Sequence, residues 1–399
     1  MIQDQQLADV KQRIKEHVYF SMQLTDLQLK QLIDEELSKL SFFVQASTRD
    51  KLEMMNRLFY SFRGLDVLQP LLSDQSISEI MVNNEQSIFI ERNGEITQAD
   101  VSFESRERLE DIIQQIVSSV NRVVNESSPV VDARLADGSR VNIVLPPIAL
   151  KGPCMTIRKF PMQAMTMEHL ISIGSITEDA AQFLQQLVQA KFNIFIGGGT
   201  GSGKTTFLNV LANFIPKDER IITIEDAAEL RIESIPNLVS LETRNANTEG
   251  KGEVSIRDLI RSSLRMRPNR IIVGEVRGKE SLDMLQAMNT GHEGSMSTGH
   301  ANNVRDMLSR LETMVLSGNE LPLAVVRKQI CSAIDIMVHL SRFSDHTRGV
   351  VEISQLTGLE NGEINVQPLY ELSVNAQTGE RRLIRTEYPV YRKYKFDFM

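Results

Sequence analysis

The segment IFIGGGTGSGKTTFLNVL, residues 194–211, is the strongest indicator of the fold of this chain. It contains the Walker A pattern GxxxxGK[ST] at residues 198–205, between an apolar run at 192–196 and a helical sequence at 205–211. A buried strand, a glycine-rich loop and a helix in this order predict a phosphate-binding loop. The physical reason is that backbone N–H groups of the loop and of the helix N-terminus surround an anion.

The loop predicts a site for a nucleoside triphosphate with Mg²⁺. Lys204 is expected to reach the β- and γ-phosphates, and the Thr205 hydroxyl is expected to bind Mg²⁺. The sequence has no Asn-Lys-x-Asp motif for reading guanine, so ATP is the expected nucleotide. The predicted ATP-binding residues of the loop are Gly198, Gly199, Thr200, Gly201, Ser202, Gly203, Lys204, Thr205 and Thr206.

Two further apolar runs end in carboxylates. NRIIVGEVRG (269–278) places Glu275 after a strand in the Walker B arrangement, and ERIITIEDAAEL (219–230) ends similarly in Glu225. Because parallel strands share one carboxyl edge, both are expected to face the phosphate loop. Glu275 is expected to activate water or to bind Mg²⁺ through water, and Glu225 to add negative charge near the metal. The second segment is equally compatible with a solvated strand end followed by a helix that Asp226 caps.

The segment NTGHEGSMSTGH (289–300) carries two histidines. His300 ends a predicted strand, where it is expected to sense the γ-phosphate or steer water. His292 is a further possible sensor, because it is taken to share this strand. The alternative is that both are loop histidines with a structural role. No cysteine or acidic set with metal-ligand spacing accompanies them, so a metal site here is not expected.

Outside these motifs the sequence predicts four regions. Residues 1–60 lack Gly and Pro and carry leucines at helical spacing, which predicts a helical arm or bundle. Residues 61–160 mix strand-like runs with an amphipathic helix, which predicts an α+β domain. Residues 161–176 form the expected interdomain linker. Within 177–399 strands alternate with helices, which predicts a parallel α/β sheet.

Local signals are strong inside the predicted α+β domain. Asn93-Gly94 lies between two strand-like runs and predicts a hairpin, and the segment ADGS (136–139) predicts a second one. Ser105 is a suitable N-cap for a helix over 105–122. At the other end of the chain, residues 378–399 mix arginines with tyrosines. They predict an edge strand with inward-facing aromatic residues, or a surface for a membrane partner or an anionic leaflet.

The composition excludes several classes of protein. Only two cysteines are present, which excludes a disulfide framework and a four-cysteine zinc site, so no zinc is expected. The N-terminus lacks the apolar region of a signal peptide, and no run reaches 18 apolar residues, so no transmembrane segment is expected. The net charge of −8 disfavours direct binding of nucleic acid.

The motifs taken together resemble those of secretion ATPases, the motors of type II secretion, type IV pili and type IV secretion. GGGTGSGKTT, ITIEDAAEL, IIVGEVRG and TGHEGSMSTGHAN are similar to the Walker A, Asp box, Walker B and His box of that family, in order, over about 197–302. The segments at 71–84, 131–147 and 156–160 are most similar to the tight-adherence (Tad or Flp) pilus branch.

The resemblance implies an α/β fold in which a RecA-like P-loop ATPase domain follows a smaller α+β domain. It also implies a cytoplasmic homo-hexamer, peripheral at the inner face of the inner membrane, that binds inner-membrane platform proteins. Such a motor hydrolyses ATP to power pilus assembly or secretion. The alternative is a RecA-like motor that translocates nucleic acid, against which the acidic charge and the lack of a basic and aromatic run argue.

The resemblance gives a role to arginines that the sequence alone leaves open. Arg140 and Arg158 match positions where family members bring arginines from the N-terminal domain onto the nucleotide. A guanidinium there would stabilise charge on the transferred phosphoryl group. Arg134, Arg231 and Arg244 are weaker candidates for arginine fingers or sensors. For each arginine the alternative is an ordinary surface ion pair, worth about 0–1 kcal/mol.

Overall fold

The structure, a computed structural model, describes residues 2–20, 24–92, 94–120, 122–159, 165–244, 246, 251–318, 320–375, 377 and 379–398. The chain divides into two compact units, Met1–Met162 and Gln163–Met399. Asn93 of the predicted turn, residue 160 at the end of the predicted α+β domain and residues 161–164 of the predicted linker lie outside the described residues. Among the helices that are described, none is both long and apolar enough to cross a membrane. The predicted domain boundaries stay predictions.

The described part of the N-terminal unit begins with helices that share an apolar cluster. They are α1 (Ile2–Phe20), α2 (Asp26–Ser38), α3 (Ser41–Gln45) and α4 (Thr48–Arg63). Thr25 starts α2 with a capping box, in which its hydroxyl accepts the N–H of Gln28 and the Gln28 side chain accepts the N–H of Thr25. The shared cluster contains Val10, Ile14, Leu29, Ile33, Leu37, Phe43 and Leu58.

An antiparallel sheet and two helices follow in the same unit. The described strands have the order β3-β2-β1-β6-β5-β4. They are β1 (Ile77–Asn84), β2 (Ser87–Arg92), β3 (Glu95–Gln98), β4 (Val130–Arg134), β5 (Arg140–Val144) and β6 (Cys154–Arg158). The helices are α5 (Leu68–Ser73) and α6 (Arg106–Ser119). One face of α6 packs on the sheet in a core that includes Leu109, Ile112, Ile116, Ile80, Val141 and Ile157.

The local predictions for this unit are confirmed. β2 and β3 pair antiparallel with Arg92 opposite Glu95. β4 and β5 also pair antiparallel, with Arg134 opposite Arg140. The predicted helix over 105–122 is α6, and the Ser105 side chain accepts an N–H of its first turn.

The C-terminal unit combines a sheet with helices on both of its faces. Its described strands are β7 (Ile194–Gly198), β8 (Ile221–Glu225), β9 (Leu238–Glu242), β10 (Arg270–Val273), β11 (Met296–His300), β12 (Ile336–Arg342), β13 (Arg348–Glu360), β14 (Glu363–Val374) and β15 (Arg381–Arg385). Its described helices are α7 (Met167–Ser172), α8 (Glu178–Gln189), α9 (Lys204–Ala212), α10 (Ile256–Ser263), α11 (Glu280–Asn289), α12 (Val304–Ser317) and α13 (Leu323–Ala333). A 3-10 helix spans Lys393–Phe398.

The strand order is β15-β14-β13-β12-β7-β11-β10-β8-β9. Neighbouring strands from β12 to β9 are parallel, which confirms the predicted parallel α/β sheet. Strands β13, β14 and β15 extend this sheet in antiparallel fashion. The strand β7 lies inside the parallel part, so the loop that follows it opens at the carboxyl edge, where such sheets bind ligands.

Alternate side chains of β7 pack against helices on opposite faces of the sheet. Ile194 and Ile196 join an apolar cluster with residues of α8 and α9. Phe195 points the other way, into a cluster with residues of α10, α11, α12 and α13. The phosphate loop is therefore attached to a strand that is buried on both sides.

Two sequence interpretations of this unit are corrected by the structure. Residues after β8 do not form a helix capped by Asp226: irregular backbone leads to β9, and the next helix begins at Ile256. The sequence did not predict β9, because apolar and polar residues alternate only weakly in its sequence LVSLE and the strand is half-exposed at the edge of the sheet. Within the predicted linker 161–176, residues Met167–Ser172 form α7, whose Met167 and Leu170 belong to the core of the C-terminal unit.

The C-terminal tail matches its interpretation only in part. β15 is the predicted edge strand. Phe396 packs inward against Phe192, with ring centroids 5.3 Å apart. Tyr388, Tyr391 and Tyr394 are 46–60% exposed, so the prediction that the aromatic residues face inward is wrong for these three.

Candidate active site

The phosphate loop connects β7 to α9 along a path that depends on glycine. Gly201 and Gly203 have φ angles of 69° and 92°, a left-handed conformation that glycine adopts without strain. A Cβ on Gly198 would lie 2.5 Å from Ser202 Oγ and 2.6 Å from the carbonyl oxygen of Leu340. The glycines therefore allow a close approach of backbone that larger residues would prevent.

Lys204 begins α9 and is 7% exposed. Its ammonium group donates a hydrogen bond to the Gly199 carbonyl at 2.9 Å. Burial lowers the pKa of Lys204, and the carboxylate of Glu275 opposes that shift. A charge sheltered from water in this way interacts more strongly with phosphate oxygens than an exposed one would.

Glu275 lies just beyond β10, and both of its carboxylate oxygens accept hydrogen bonds. His300 Nδ1 donates to Oε1. Arg277 donates to Oε2 from Nε at 2.9 Å and from Nη2 at 2.6 Å. Burial raises the pKa of Glu275, but the hydrogen bond and charge of Arg277, together with His300, outweigh it, so the pKa lies below its usual value. The ionised carboxylate can hold a water molecule and accept its proton.

His300 connects this carboxylate to the loop. It ends β11 in register with Gly198 of β7, so its side chain starts beside the phosphate loop. Its Nε2 lies 3.3 Å from Thr200 Oγ1, while Nδ1 bonds to Glu275. Because a carboxylate only accepts, Nδ1 carries a proton. A chain of hydrogen bonds therefore runs from Thr200 through His300 to Glu275.

Glu225 ends β8 and is 3% exposed. Its Oε1 accepts the backbone N–H groups of Glu229 at 2.9 Å and Leu230 at 3.1 Å. A Cβ on Gly274 would lie 2.9 Å from Glu225 Cγ, so the side chain packs directly against the end of β10. The carboxylate thus holds the segment that follows β8, and its expected role in catalysis stays a prediction.

The structure does not bring His292 to the phosphate loop. This residue precedes β11, which spans Met296–His300, so it lies at the amino edge of the sheet. Its Nδ1 is 3.2 Å from the Ala287 carbonyl oxygen. The interpretation that places both histidines on one strand is therefore wrong.

Arg231 and Arg244, the arginine candidates in the C-terminal unit, form hydrogen bonds with neighbouring segments of the chain. The backbone N–H of Arg231 donates to Asn209 Oδ1 of α9 at 2.8 Å. Arg244 follows β9, and its Nε donates to the Gly252 carbonyl at 2.6 Å. Neither contact shows a role in binding nucleotide, and both roles stay predictions.

Three arginine candidates form a row in the N-terminal unit. Arg134 pairs with Arg140 across β4 and β5, and Arg140 pairs with Arg158 across β5 and β6. Residues in register on neighbouring strands share one face of the sheet. The row continues to Glu79 of β1, which pairs with Arg158.

Sequence reasoning missed Arg277, which contacts Glu275 directly. The available signal was its spacing, because residues two apart in extended backbone point the same way. It also missed a cavity of about 470 Å³ beside the loop, where α12 contributes polar side chains. Its lining includes Thr200, His300, Asn302, Asp306 and Arg310.

The residues at this edge fit Mg²⁺ held together with a nucleotide. Thr205 lies in the first turn of α9, and Glu275 is ionised, so hydroxyl and carboxylate oxygens are present, which are the ligands that Mg²⁺ prefers. In the part of the chain that is described, no group of three or more His, Cys, Asp or Glu residues is placed to hold a metal. Such a cage is not needed, because Mg²⁺ at nucleotide sites takes most ligands from phosphate and water.

Comparison with known proteins identifies the relatives of the chain. A model of the family described as "Type II/IV secretion system protein" matches residues 62–378. A putative conjugal transfer protein of Mycobacterium tuberculosis is 35% identical over 303 residues, which is 74% of this chain and 86% of the relative. The type IV secretion system protein VirB11 of Brucella suis is 34% identical over 303 residues, covering 69% of this chain and 84% of the relative.

A solved structure supports the fold independently of close sequence identity. The X-ray structure of the Legionella pneumophila ATPase DotB matches with a TM-score of 0.52 and 20% identity, covering 83% of this chain and 81% of that chain. At this identity the match bears on the fold alone. It confirms the predicted α/β architecture with a RecA-like P-loop ATPase domain.

Proposed function

The chain belongs to the type II/IV secretion system protein family, and from this premise we propose that it hydrolyses ATP to drive assembly of a pilus or secretion across the inner membrane. The observation that carries this proposal is the chain of hydrogen bonds from Thr200 through His300 to Glu275. It links the phosphate loop to an ionised carboxylate at the carboxyl edge of the same sheet. An ionised carboxylate placed beside the phosphate loop can orient and deprotonate water that attacks a terminal phosphate.

In the proposed reaction the phosphates lie along residues 198–206, with Lys204 at the β- and γ-phosphates. Thr205 would hold Mg²⁺ directly and Glu275 would hold it through a water, and the bound ion would supply positive charge to the phosphates. Glu275 orients the attacking water and takes its proton. The water oxygen bonds to the γ-phosphorus, the bond to the β–γ bridging oxygen breaks, and ADP and inorganic phosphate leave.

The positions of Glu275 and His300 support one direction for the nucleotide. They lie on the β11 and β10 side of the loop, so the proposed position of the γ-phosphate is there and the proposed position of the nucleoside is toward β12, on the other side. A cavity of about 220 Å³ opens there at the turn between β12 and β13, with Phe343 and Arg348 in its lining. Arg348 Cδ lies 3.8 Å from the position of a Cβ on Gly203, which places this cavity next to the loop.

The arginine row of the N-terminal unit is part of the proposal. Arg140 and Arg158 are proposed to reach the nucleotide of their own or a neighbouring subunit and to stabilise charge on the γ-phosphoryl group. Arg134, Arg231 and Arg244 are proposed as weaker candidates, and Glu225 as added negative charge near the metal. The support for Arg140 and Arg158 is their shared face on neighbouring strands.

The assembly state and the cellular setting are proposed from the family and the sequence motifs. The proposed active form is a homo-hexamer in the cytoplasm, peripheral at the inner membrane and bound to platform proteins there. The tight-adherence pilus branch is the proposed subgroup, on the strength of the segments at 71–84 and 131–147.

Light scattering of the purified chain with and without non-hydrolysable ATP tests the assembly and the ligand together. A species of about six subunits that is strengthened by nucleotide supports the proposal. A monomer whose size and stability do not change when nucleotide is added contradicts the proposal.

A motor that translocates nucleic acid is the second candidate, because the Mycobacterium tuberculosis relative is named for conjugal transfer. The measurement is the ATPase rate on addition of DNA. A rise that fades steeply with salt favours this candidate, since phosphate contacts release counterions. An unchanged rate favours the pilus or secretion motor.

A further inference from the structure

Arg277 stands out among the charged residues near the loop, because it contacts the proposed water-activating carboxylate. Its guanidinium donates twice to Oε2 of Glu275, at 2.9 and 2.6 Å. The third nitrogen, Nη1, lies 3.7 Å from Asp226 Oδ2 in the segment after β8. The side chain thus bridges the strand-end carboxylates of β10 and β8.

The backbone that carries Arg277 is also fixed. The N–H groups of Arg277 and Gly278 donate to the same Glu280 oxygen, at 2.6 and 2.8 Å. Glu280 is the first residue of α11, so the segment after β10 is attached to that helix. Because this backbone is held in place, the guanidinium of Arg277 contacts Glu275 in a defined geometry.

The carboxylate of Glu275 is consequently held from two sides. His300 takes Oε1 and Arg277 takes Oε2, so rotation of the carboxylate plane would break hydrogen bonds at both ends. Glu275 is 17% exposed whereas Arg277 is 65% exposed, so the contact is sheltered at the carboxylate end. This distinguishes it from a fully exposed ion pair, which typically contributes little.

We propose that Arg277 is a positioning residue for ATP hydrolysis: it fixes the Glu275 carboxylate in the orientation that receives the attacking water, and it does not bind ATP. The inference rests on the proposed function, since it presumes that Glu275 acts on water. Placement matters at this step because a displacement of about 1 Å in a reacting group can cost about 100-fold in rate. Arg277 acts through the carboxylate and touches neither the phosphates nor the water.

The experiment measures kcat and KM for ATP in the full-length chain and in the variants Arg277→Ala and Arg277→Lys. Arg277→Ala is expected to lower kcat by about 10- to 100-fold while KM stays within about twofold, because only placement of the carboxylate is lost. Arg277→Lys is expected to recover part of kcat, since an ammonium group can still make a charge-assisted bond to Oε2. The matched control is Arg265→Ala, an exposed arginine between α10 and the amino end of β10, whose loss should leave both constants unchanged.

Action through Glu275 has its own test in the double variant. In single-turnover kinetics, Arg277→Ala is expected to lower the hydrolysis rate when Glu275 is present. In the Glu275→Gln background the same substitution is expected to lower the rate little further, because the group being positioned is already altered. Losses that multiply in the double variant overturn the proposal, and so does a rise in KM with kcat unchanged, which would place Arg277 on the nucleotide. Normal kinetics in Arg277→Ala also overturn it, as would a loss of activity that merely tracks a lower melting temperature.

Failure of this inference is distinguishable from failure of the proposed function. If wild-type protein does not hydrolyse ATP, or Lys204→Ala hydrolyses it at the wild-type rate, the proposed function fails. If Lys204→Ala is inactive while Arg277→Ala behaves like wild type, the proposed function stands and the role of Arg277 is refuted.

Discussion

The two edges of the parallel sheet in the C-terminal unit use charge in opposite ways. At the amino edge, Asp335 is 1% exposed in its side chain and bonds to Arg392, to Lys395 Nζ at 2.9 Å and to the backbone N–H of Asn193 at 2.8 Å. At the carboxyl edge, the Glu275 side chain is 17% exposed and contacts His300, which lies beside the phosphate loop.

A second ion pair at the amino edge is likewise buried and fully hydrogen-bonded. Arg270 is fully buried and donates to both oxygens of Glu219, at 2.7 and 2.8 Å, and to the Val188 carbonyl at 2.6 Å. Pairing of this completeness leaves no room for a ligand, whereas the carboxyl edge combines charged groups with two cavities. Ionic groups of one sheet therefore stabilise packing at its amino edge and are available for chemistry at its carboxyl edge.

The largest effect should come from the carboxyl edge. Glu275→Gln removes the proton acceptor and is expected to lower kcat by about 100- to 10,000-fold, the usual contribution of general acid–base catalysis. ATP binding and the melting temperature should stay near wild type. Steady-state kinetics and calorimetry check this, and an unchanged kcat would remove Glu275 from the mechanism.

Glu225→Gln is the matched comparison for that variant. An amide oxygen can still accept the N–H groups of Glu229 and Leu230, so a holding role predicts a loss far smaller than that of Glu275→Gln. A loss of equal size would instead give Glu225 a direct part in catalysis.

At the amino edge, Asp335→Ala should act on stability. It removes the nearer of two carboxylates from Lys395, which is 4% exposed, and leaves the exposed Glu293 at 3.7 Å; breaking a buried pair in this way costs about 3–5 kcal/mol. Chemical denaturation measures the loss, while kcat per folded molecule should be retained. The control Asp345→Ala removes an exposed aspartate that pairs with Arg381, and it should lower stability far less. Equal losses in both variants would erase the distinction between the edges.

The backbone of the loop supplies a smaller effect. Gly198→Ala introduces a Cβ 2.5 Å from Ser202 Oγ and 2.6 Å from the Leu340 carbonyl, so the loop must shift. The expected cost is about 1–3 kcal/mol in stability with weaker ATP binding. Gly199→Ala is the matched control for stability, because no atom lies within 4 Å of its Cβ position. If both variants lose the same stability, the tight packing at Gly198 is not what shapes the loop.

The smallest effect concerns pH. Burial lowers the pKa of His339 below its usual value of 6.5, and the nearby Lys204 charge adds to this, while Asn302 and Asp306 oppose it. As the pH falls below about 6.5 the unfolded chain takes up a proton that the folded chain resists, so stability is lost toward acid, by at most about 1.4 kcal/mol per pH unit.

The variant His339→Gln should therefore flatten the dependence of melting temperature on pH between about 6.5 and 5. The exposed His169 provides the control substitution His169→Gln. An identical slope in the wild type and in His339→Gln would contradict the buried, neutral state of His339.

The sequence predicted those features that depend on neighbouring residues. The strand, loop and helix around Lys204 follow from spacing within one segment, as do the hairpins and the Ser105 cap. Family resemblance and strand ends together located Glu275 and His300 at one edge. These features are readable because each is encoded within about 20 residues of the chain.

Features built from distant segments were not predictable in the same way. Asp335 meets Arg392 and Lys395 from 57 and 60 residues away, and no local pattern links them. Glu225 ends a strand like Glu275, yet the structure shows it bound to backbone N–H groups, a difference that depends on how the next segment turns. His292 was misplaced because strand β11 begins only at Met296.

Isothermal titration calorimetry of Mg²⁺ and ATP with the wild-type chain and with Lys204→Ala measures whether the loop holds the nucleotide. We expect the wild type to bind and Lys204→Ala to lose that binding, with its fold intact by circular dichroism. Equal affinity in the two proteins, or no binding by the wild type, would contradict the claim that residues 198–206 hold the triphosphate.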